Sequence, residues 1–300
     1  MSVKSHSPIL RIVVVISVMV MSQGCDKLGL GTSPTQPSGP PAAGSTIVYS
    51  AVGASDANGV GSSVPCAPFD IECSSGMGYV PVTARSLKTQ GFNVTLLNLG
   101  IPTAVIGRDF QTLGQQYNRI IAGNFIDQEM MFVQPNATLV TIFAGINEVN
   151  VVTAALGGGA GGSDPNGYMD AQVRAFGTDY TTLLAGIRTR AGSPRIVVLN
   201  VPNPAGLPFL AGTSLAQRQA AQRIAVAMTK TVVNPLLSSN VVVVDLLCDS
   251  RSYIPSFYSS DGLHPNDAGY AYIASEVVKA ITSASYPAPQ NSCPAMAIVP

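Results

Sequence analysis

Five short apolar runs punctuate the chain after residue 45. They are 46–52 (TIVYSAV), 92–99 (FNVTLLNL), 137–145 (ATLVTIFAG), 195–201 (RIVVLNV) and 241–247 (VVVVDLL). Each is β-branched and nearly continuous in its apolar character, the pattern of strands buried on both faces in a parallel sheet. Helix-like stretches separate them. Residues 77–90 and 108–122 fit a helical period loosely. Residues 169–192, 214–237 and 266–283 fit it well, with Asn266 or Asp267 placed to cap the last. The alternation predicts one α/β domain over residues 46–300, with a five-stranded parallel sheet between helices on both faces. In such a sheet ligands bind beyond the carboxyl ends of the strands, so the residues after each strand are where chemistry is expected.

The pattern before residue 46 is different. Lys4 and Arg11 precede a ten-residue apolar run, 12–21 (IVVVISVMVM), interrupted only by Ser17. That length suits a signal-peptide core better than a bilayer span. It leads into MSQGC, where Gly24–Cys25 resembles a lipidation site, although Ser22 stands where an aliphatic residue is usual. Residues 1–24 are therefore expected to be a signal peptide, with Cys25 as the lipidated end or a plain cleavage product. The Pro-, Gly- and Ser-rich segment that follows, 25–45, reads as a linker without packing capacity. Together these predict export to the bacterial cell envelope, lipid-anchored at a periplasmic or outer surface, or secretion. The membrane enters only through that N-terminal anchor.

Composition narrows the function. The chain is 46% hydrophobic and 11% charged, suited to a large core. Removing the leader takes away Lys4 and Arg11, leaving 14 basic against 16 acidic residues, a balance of −2. This offers no electrostatic case for nucleic acid. Apart from Cys25, four cysteines remain: Cys66, Cys73, Cys248 and Cys293. An even number in an exported chain reads as disulfides, with three connectivities possible. The short loop between Cys66 and Cys73 favours that pair, and Cys248 with Cys293 would then pin the C-terminal tail. Zinc-ligand spacing is absent, and no cofactor is implied.

Four of the five strand ends, the first, second, third and fifth, offer candidate chemistry. Ser55, in GASD after the first strand, is a candidate nucleophile that needs an adjacent base. By itself it is more simply a Ser–Asp turn. Gly100, after the second, could present a backbone N–H to an oxyanion, or be an ordinary turn glycine. Asn147, after the third, could donate its amide to the same oxyanion or cap a helix. After the fifth comes DGLHP, where His264 could act as base and Asp261 could orient it. The chain has two histidines, and the other, His6, lies in the leader. One residue at a time, the plainer readings hold. Together the four sites supply nucleophile, oxyanion donors (with the Ser55 N–H), base and orienter, the full set acyl transfer requires.

These blocks resemble those of the SGNH, or GDSL-type, serine hydrolases. GASD with Ser55, NLGIP with Gly100, GINE with Asn147 and DGLHP with Asp261 and His264 occur in the family's order across residues 45 to 283. Two departures are Ala54, where the family usually has Asp, and Glu148, where Asp usually follows the Asn. The resemblance implies a three-layer flavodoxin-like fold with strand order 2-1-3-4-5. It also implies metal-free ester hydrolysis by a Ser–His–Asp triad through an acyl-enzyme, on a small-molecule, lipid or sugar ester.

Short- to medium-chain acyl esters are the expected substrates, with Ile106, Leu207, Phe209, Leu210 and Phe257 as candidate walls of an acyl pocket. The glycine-rich stretch 157–162 lacks the Lys–Ser/Thr of a phosphate loop and is expected to form a flap. Thioesterase, lysophospholipase and sugar O-deacetylase activities remain open alternatives. So does a non-catalytic cell-surface binding lipoprotein on the same fold, against which the complete Ser–Asn–His–Asp set counts.

Overall fold

The structure, a computed structural model, describes residues 39–300. The expected signal peptide, Cys25 and the first part of the linker lie outside the described residues.

Strand β1 (Thr46–Gly53) opens the sheet, followed by the short helix α1 (Ser55–Asn58). A two-residue strand β2 (Asp70–Ile71), helix α2 (Tyr79–Thr89) and strand β3 (Asn93–Asn98) come next. Helices α3 (Arg108–Gln116) and α4 (Phe125–Gln128) lead to β4 (Leu139–Phe143). Helices α5 (Ile146–Gly157) and α6 (Pro165–Ala191) precede β5 (Arg195–Leu199). Helix α7 (Leu215–Met228), strand β6 (Val241–Val244) and helix α8 (Asp267–Thr282) complete the series.

The sheet order is β2-β3-β1-β4-β5-β6. The five strands expected from sequence are β1, β3, β4, β5 and β6. They pair in parallel and stand in the expected order. The sixth strand, β2, is the difference. It pairs antiparallel with the end of β3, Asp70 against Asn98 and Ile71 against Leu97. Two residues are too few for a periodic signal. They lie inside the loop closed by the Cys66–Cys73 disulfide, and a second disulfide joins Cys248 to Cys293.

Every residue of β4, β5 and β6 is buried. Helices α2 and α8 pack together in one layer, and α3, α5, α6 and α7 form the other, as right-handed crossovers require. The stretch expected as a flap, 157–162, overlaps the end of a helix by one residue. Residues 146–157 form α5, burying Val149, Val151, Val152 and Ala155. A run of valines and a glycine is a weak helix former, and tertiary burial overrides that preference. The connection runs from Gly158 to Asp164, whose side chain caps α6 by accepting from Gly167 N–H at 2.9 Å. At the other end of the chain Asn266 caps α8, accepting from the N–H groups of Ala268 and Gly269 at 3.0 and 3.2 Å. Among the described residues no helix is long and apolar enough to cross a membrane.

Candidate active site

The site is built where β1 ends. Gly53 is the last residue of the strand, and its N–H donates to the buried Glu129 Oε2 at 2.8 Å. The chain turns at Ala54, and Ser55 becomes the first residue of α1. In that position its N–H has no intrahelical acceptor. Helix α1 is short because Gly59, at φ 75°, ends it.

His264 arrives from the far end of the chain on a tight loop. Ser259 N–H donates to His264 O at 2.8 Å, and Gly262 N–H donates to Ser259 O at 3.0 Å. Gly262 adopts φ 70°, a left-handed turn position that suits glycine. The loop sets His264 Nε2 2.8 Å from Ser55 Oγ and His264 Nδ1 2.6 Å from Asp261 Oδ2. The other carboxylate oxygen of Asp261 accepts from Ser259 Oγ at 2.9 Å, Leu263 N–H at 2.8 Å and His264 N–H at 2.9 Å. Partial burial works to raise the Asp261 carboxyl. The hydrogen bonds from His264, Leu263 and Ser259 outweigh it and hold the group down to about 2. An ionised Asp261 keeps the Nδ1 proton on its own side of the ring, which leaves Nε2 facing the serine.

Asn147 lies in the first turn of α5 and is half-buried. Its Nδ2 donates one hydrogen to Ala104 O at 2.8 Å, and an amide carries a second. Its neighbour Glu148 braces this corner, accepting from Ile106 N–H at 2.5 Å and Gly145 N–H at 2.8 Å. Burial pushes the Glu148 carboxyl up to about 7, against those backbone hydrogen bonds. The longer side chain at this position thus spans from α5 to the loop after β3.

The Gly100 N–H has an acceptor of its own, Asn98 Oδ1 at 3.2 Å. Asn98 is fully buried, and its Nδ2 donates to Ala57 O in α1 at 2.7 Å. A side chain at Gly100 would meet Ala57 Cβ at 2.8 Å and Asn58 Oδ1 at 2.9 Å. Gly100 therefore serves close packing of the loop against α1. A residue overlooked from the sequence stands three positions on. Thr103 has φ 67° in a turn closed by Ala104 N–H to Ile101 O at 3.0 Å. Its own N–H has no acceptor among the described residues, and the adjoining Ala104 carbonyl takes the Asn147 amide. The legible signal was Pro102, since proline at the second position of a turn sets up a positive φ at the third.

Of the residues expected to wall an acyl pocket, Leu207 and Phe257 line one cavity, together with Asp56, Ile146, Leu263 and Pro265. Phe209 and Leu210 do not line it, and Ile106 is fully buried in the core. Among the described residues no cluster of His, Cys, Asp and Glu has metal-binding geometry.

The model of the family described as GDSL-like Lipase/Acylhydrolase matches residues 51–272. No curated protein sequence matches the chain. The fold is shared with solved lipase structures. The lipase Lip_vut3 from a goat rumen metagenome superposes with a TM-score of 0.51 at 16% identity, covering 79% of this chain and 98% of its own. An extracellular lipase from Streptomyces rimosus gives 0.51 at 18% identity, covering 79% and 100%. An acetylxylan esterase from Geobacillus stearothermophilus gives 0.48 at 12% identity, covering 87% and 100%.

Proposed function

The chain belongs to the GDSL-like lipase/acylhydrolase family, and from that premise we propose that it hydrolyses carboxylic esters with Ser55 as nucleophile, His264 as general base and Asp261 as the orienting acid. The observation that carries this reading is the unbroken line of hydrogen bonds from Ser55 Oγ through both imidazole nitrogens to Asp261.

In the proposed cycle His264 Nε2 takes the proton from Ser55 Oγ as the oxygen attacks the ester carbonyl. The developing imidazolium is stabilised by Asp261. The tetrahedral oxyanion is held by the N–H of Ser55, the second amide hydrogen of Asn147 and a backbone N–H of the loop after β3. For that last donor we assign Thr103 rather than Gly100, because the Gly100 N–H is already engaged. His264 then gives its proton to the departing alcohol. Water, deprotonated by the same nitrogen, cleaves the acyl-enzyme and restores Ser55. The two disulfides are compatible with an oxidising compartment. We place the enzyme in the cell envelope or outside the cell, tethered through Cys25 where that residue is lipidated.

The test is fluorophosphonate labelling beside p-nitrophenyl ester hydrolysis. Ser55 should carry the label, and Ser55→Ala should lose both label and activity. Full esterase activity in Ser55→Ala would end this reading.

A further inference from the structure

The loop that carries Asp261 and His264 is held from outside as well as from within. Phe209 N–H donates to Gly262 O at 3.0 Å, and Gly262 adjoins Asp261. The approach is close. A side chain on Gly262 would meet Phe209 N at 2.7 Å and Pro208 C at 2.9 Å. The connection after β5 thus packs directly against the catalytic loop. An imidazole placed 2.8 Å from Ser55 Oγ tolerates little drift, since a misplacement of ~1 Å can cost ~10²-fold in rate.

That connection is stiff and anchored. Pro204 and Pro208 each open a single 3-10 turn, Pro204–Gly206 and Pro208–Leu210. Proline fixes φ at the start of a turn, where its missing donor costs nothing. The foot of the connection is Asn203, which is fully buried. Its N–H donates to Tyr253 OH at 2.9 Å. Its Nδ2 donates to Gln222 Oε1 and to Ala295 O, both at 2.9 Å.

The last two partners tie the foot to residues 293–300. That segment holds only one short turn, Pro294–Ala297, so contacts with other elements fix its course. Gln222 of α7 supplies most of them. Its Oε1 accepts from Ile298 N–H at 2.8 Å and Val299 N–H at 3.0 Å, and its Nε2 donates to Val299 O at 2.8 Å. Ile298 covers Gly206 so closely that a Cβ there would meet Ile298 Cδ1 at 2.5 Å. The Cys248–Cys293 disulfide fastens the start of the segment to the connection after β6. One amide oxygen, Gln222 Oε1, therefore joins the segment to Asn203, and residues 203–210 join Asn203 to the catalytic loop.

We propose that residues 293–300 form a strap that keeps His264 in register with Ser55, acting through Gln222, Asn203 and the Phe209–Gly262 hydrogen bond. Gln222 and Asn203 are then positioning residues for the general base. The inference rests on the Ser55–His264–Asp261 reading and adds to it the elements that hold the base in place. It gives Phe209 a part played by its main chain, in place of the acyl contact expected of its ring. It also gives the Cys248–Cys293 disulfide a part in turnover besides its part in stability.

The experiment measures kcat and KM on a p-nitrophenyl ester, well below the melting transition, with circular dichroism to show that each variant is folded. Gln222→Ala should lower kcat by ~10-fold or more and leave KM within about a factor of two, because the loop it supports carries the base. Gln222→Glu keeps the oxygen that accepts from Asn203, Ile298 and Val299, and should retain most of kcat. Cys248→Ser with Cys293→Ser should behave like Gln222→Ala. Gly262→Ala disrupts the contact with Phe209 directly. Combined with Gln222→Ala it should cost less than the product of the two single losses, since both act through one contact. Where the disulfide variant fails to fold, the Gln222 and Gly262 variants carry the test alone. A strap that serves stability only would lower the melting temperature and leave kcat unchanged, which overturns the proposal. Multiplicative losses in the double variant overturn it too, as does a Gln222→Glu protein as slow as Gln222→Ala. In those cases the wild type would still take the fluorophosphonate label at Ser55 and cleave esters, so the hydrolase reading would stand. A wild type that does neither overturns the two together.

Discussion

His264 Nε2 stands 2.8 Å from Ser55 Oγ although 209 positions separate the two residues. The contact joins the loop before α8 to the first turn after β1. Asp261 completes it at 2.6 Å from the other ring nitrogen. Asp261→Asn keeps the side-chain shape but removes the charge that stabilises an imidazolium. We expect kcat to fall by ~10²- to 10⁴-fold with KM little changed. A variant within a factor of about two of the wild type would remove Asp261 from the mechanism.

In the proposed cycle Asn147 gives one amide hydrogen to the oxyanion, while the other holds Ala104 O. Asn147→Ala should lower kcat by ~10²- to 10³-fold, since the lost interaction strengthens only as the oxyanion forms. Steady-state kinetics on a short-chain ester checks this. A rise in KM with unchanged kcat would assign Asn147 to ground-state binding instead.

Gly100 is packed too closely for a side chain. Its missing Cβ would lie 2.8 Å from Ala57 Cβ and 3.1 Å from Ala54 O. Gly100→Ala should therefore displace α1, which carries Ser55, and cost ~1–3 kcal/mol of stability together with activity. Thermal denaturation and ester hydrolysis measure the two effects. Wild-type values in both would show that the loop yields without cost.

Glu148 gives stability a pH dependence of defined sign. Burial raises its carboxyl from 4.5 to about 7 in the folded protein. The folded state thus favours the protonated form. The corresponding stability is fully present below 4.5 and is lost as pH rises through about 7. The melting temperature should fall across that window. Glu148→Gln, which cannot ionise, should show a shallower fall. Burial also lifts Asp179, to about 6, so part of the slope should remain. Equal slopes in the two proteins would exclude Glu148 as the source.

The two disulfides should differ in worth. Cys66 and Cys73 are 7 positions apart, whereas Cys248 and Cys293 are 45 apart. Chain entropy assigns ~2.4 kcal/mol to the shorter loop and ~4 kcal/mol to the longer. Cys248→Ser with Cys293→Ser should lower the melting temperature more than Cys66→Ser with Cys73→Ser. The reverse order would mean that native contacts around Phe69 and Ile71, not loop entropy, decide the matter.

Much of the fold was legible because its signals are local. A strand buried on both faces must be apolar at every position, as VVVV at 241–244 is, and neighbouring residues alone report this. The cap at Asn266 and the turn at Gly262 are local for the same reason. Helix α5 was not legible, since its valines favour strands unless a neighbouring layer buries them. Strand β2 escaped because two residues carry no period and a disulfide loop brings them to the sheet edge.

The site divides along the same line. Asp261 and His264 are three residues apart, so backbone geometry alone keeps their side chains within reach. That a serine, an asparagine and a histidine each follow or lie near a strand end was likewise written in the chain. The contact between His264 and Ser55, the engagement of Gly100 N–H by Asn98, the Thr103 N–H left without an acceptor among the described residues and the void beside Leu207 came only with the tertiary structure. Each depends on the angle and depth at which separate elements pack. Hydrophobic patterning specifies which faces are buried, but the distances between buried faces are set jointly by all the side chains that fill them.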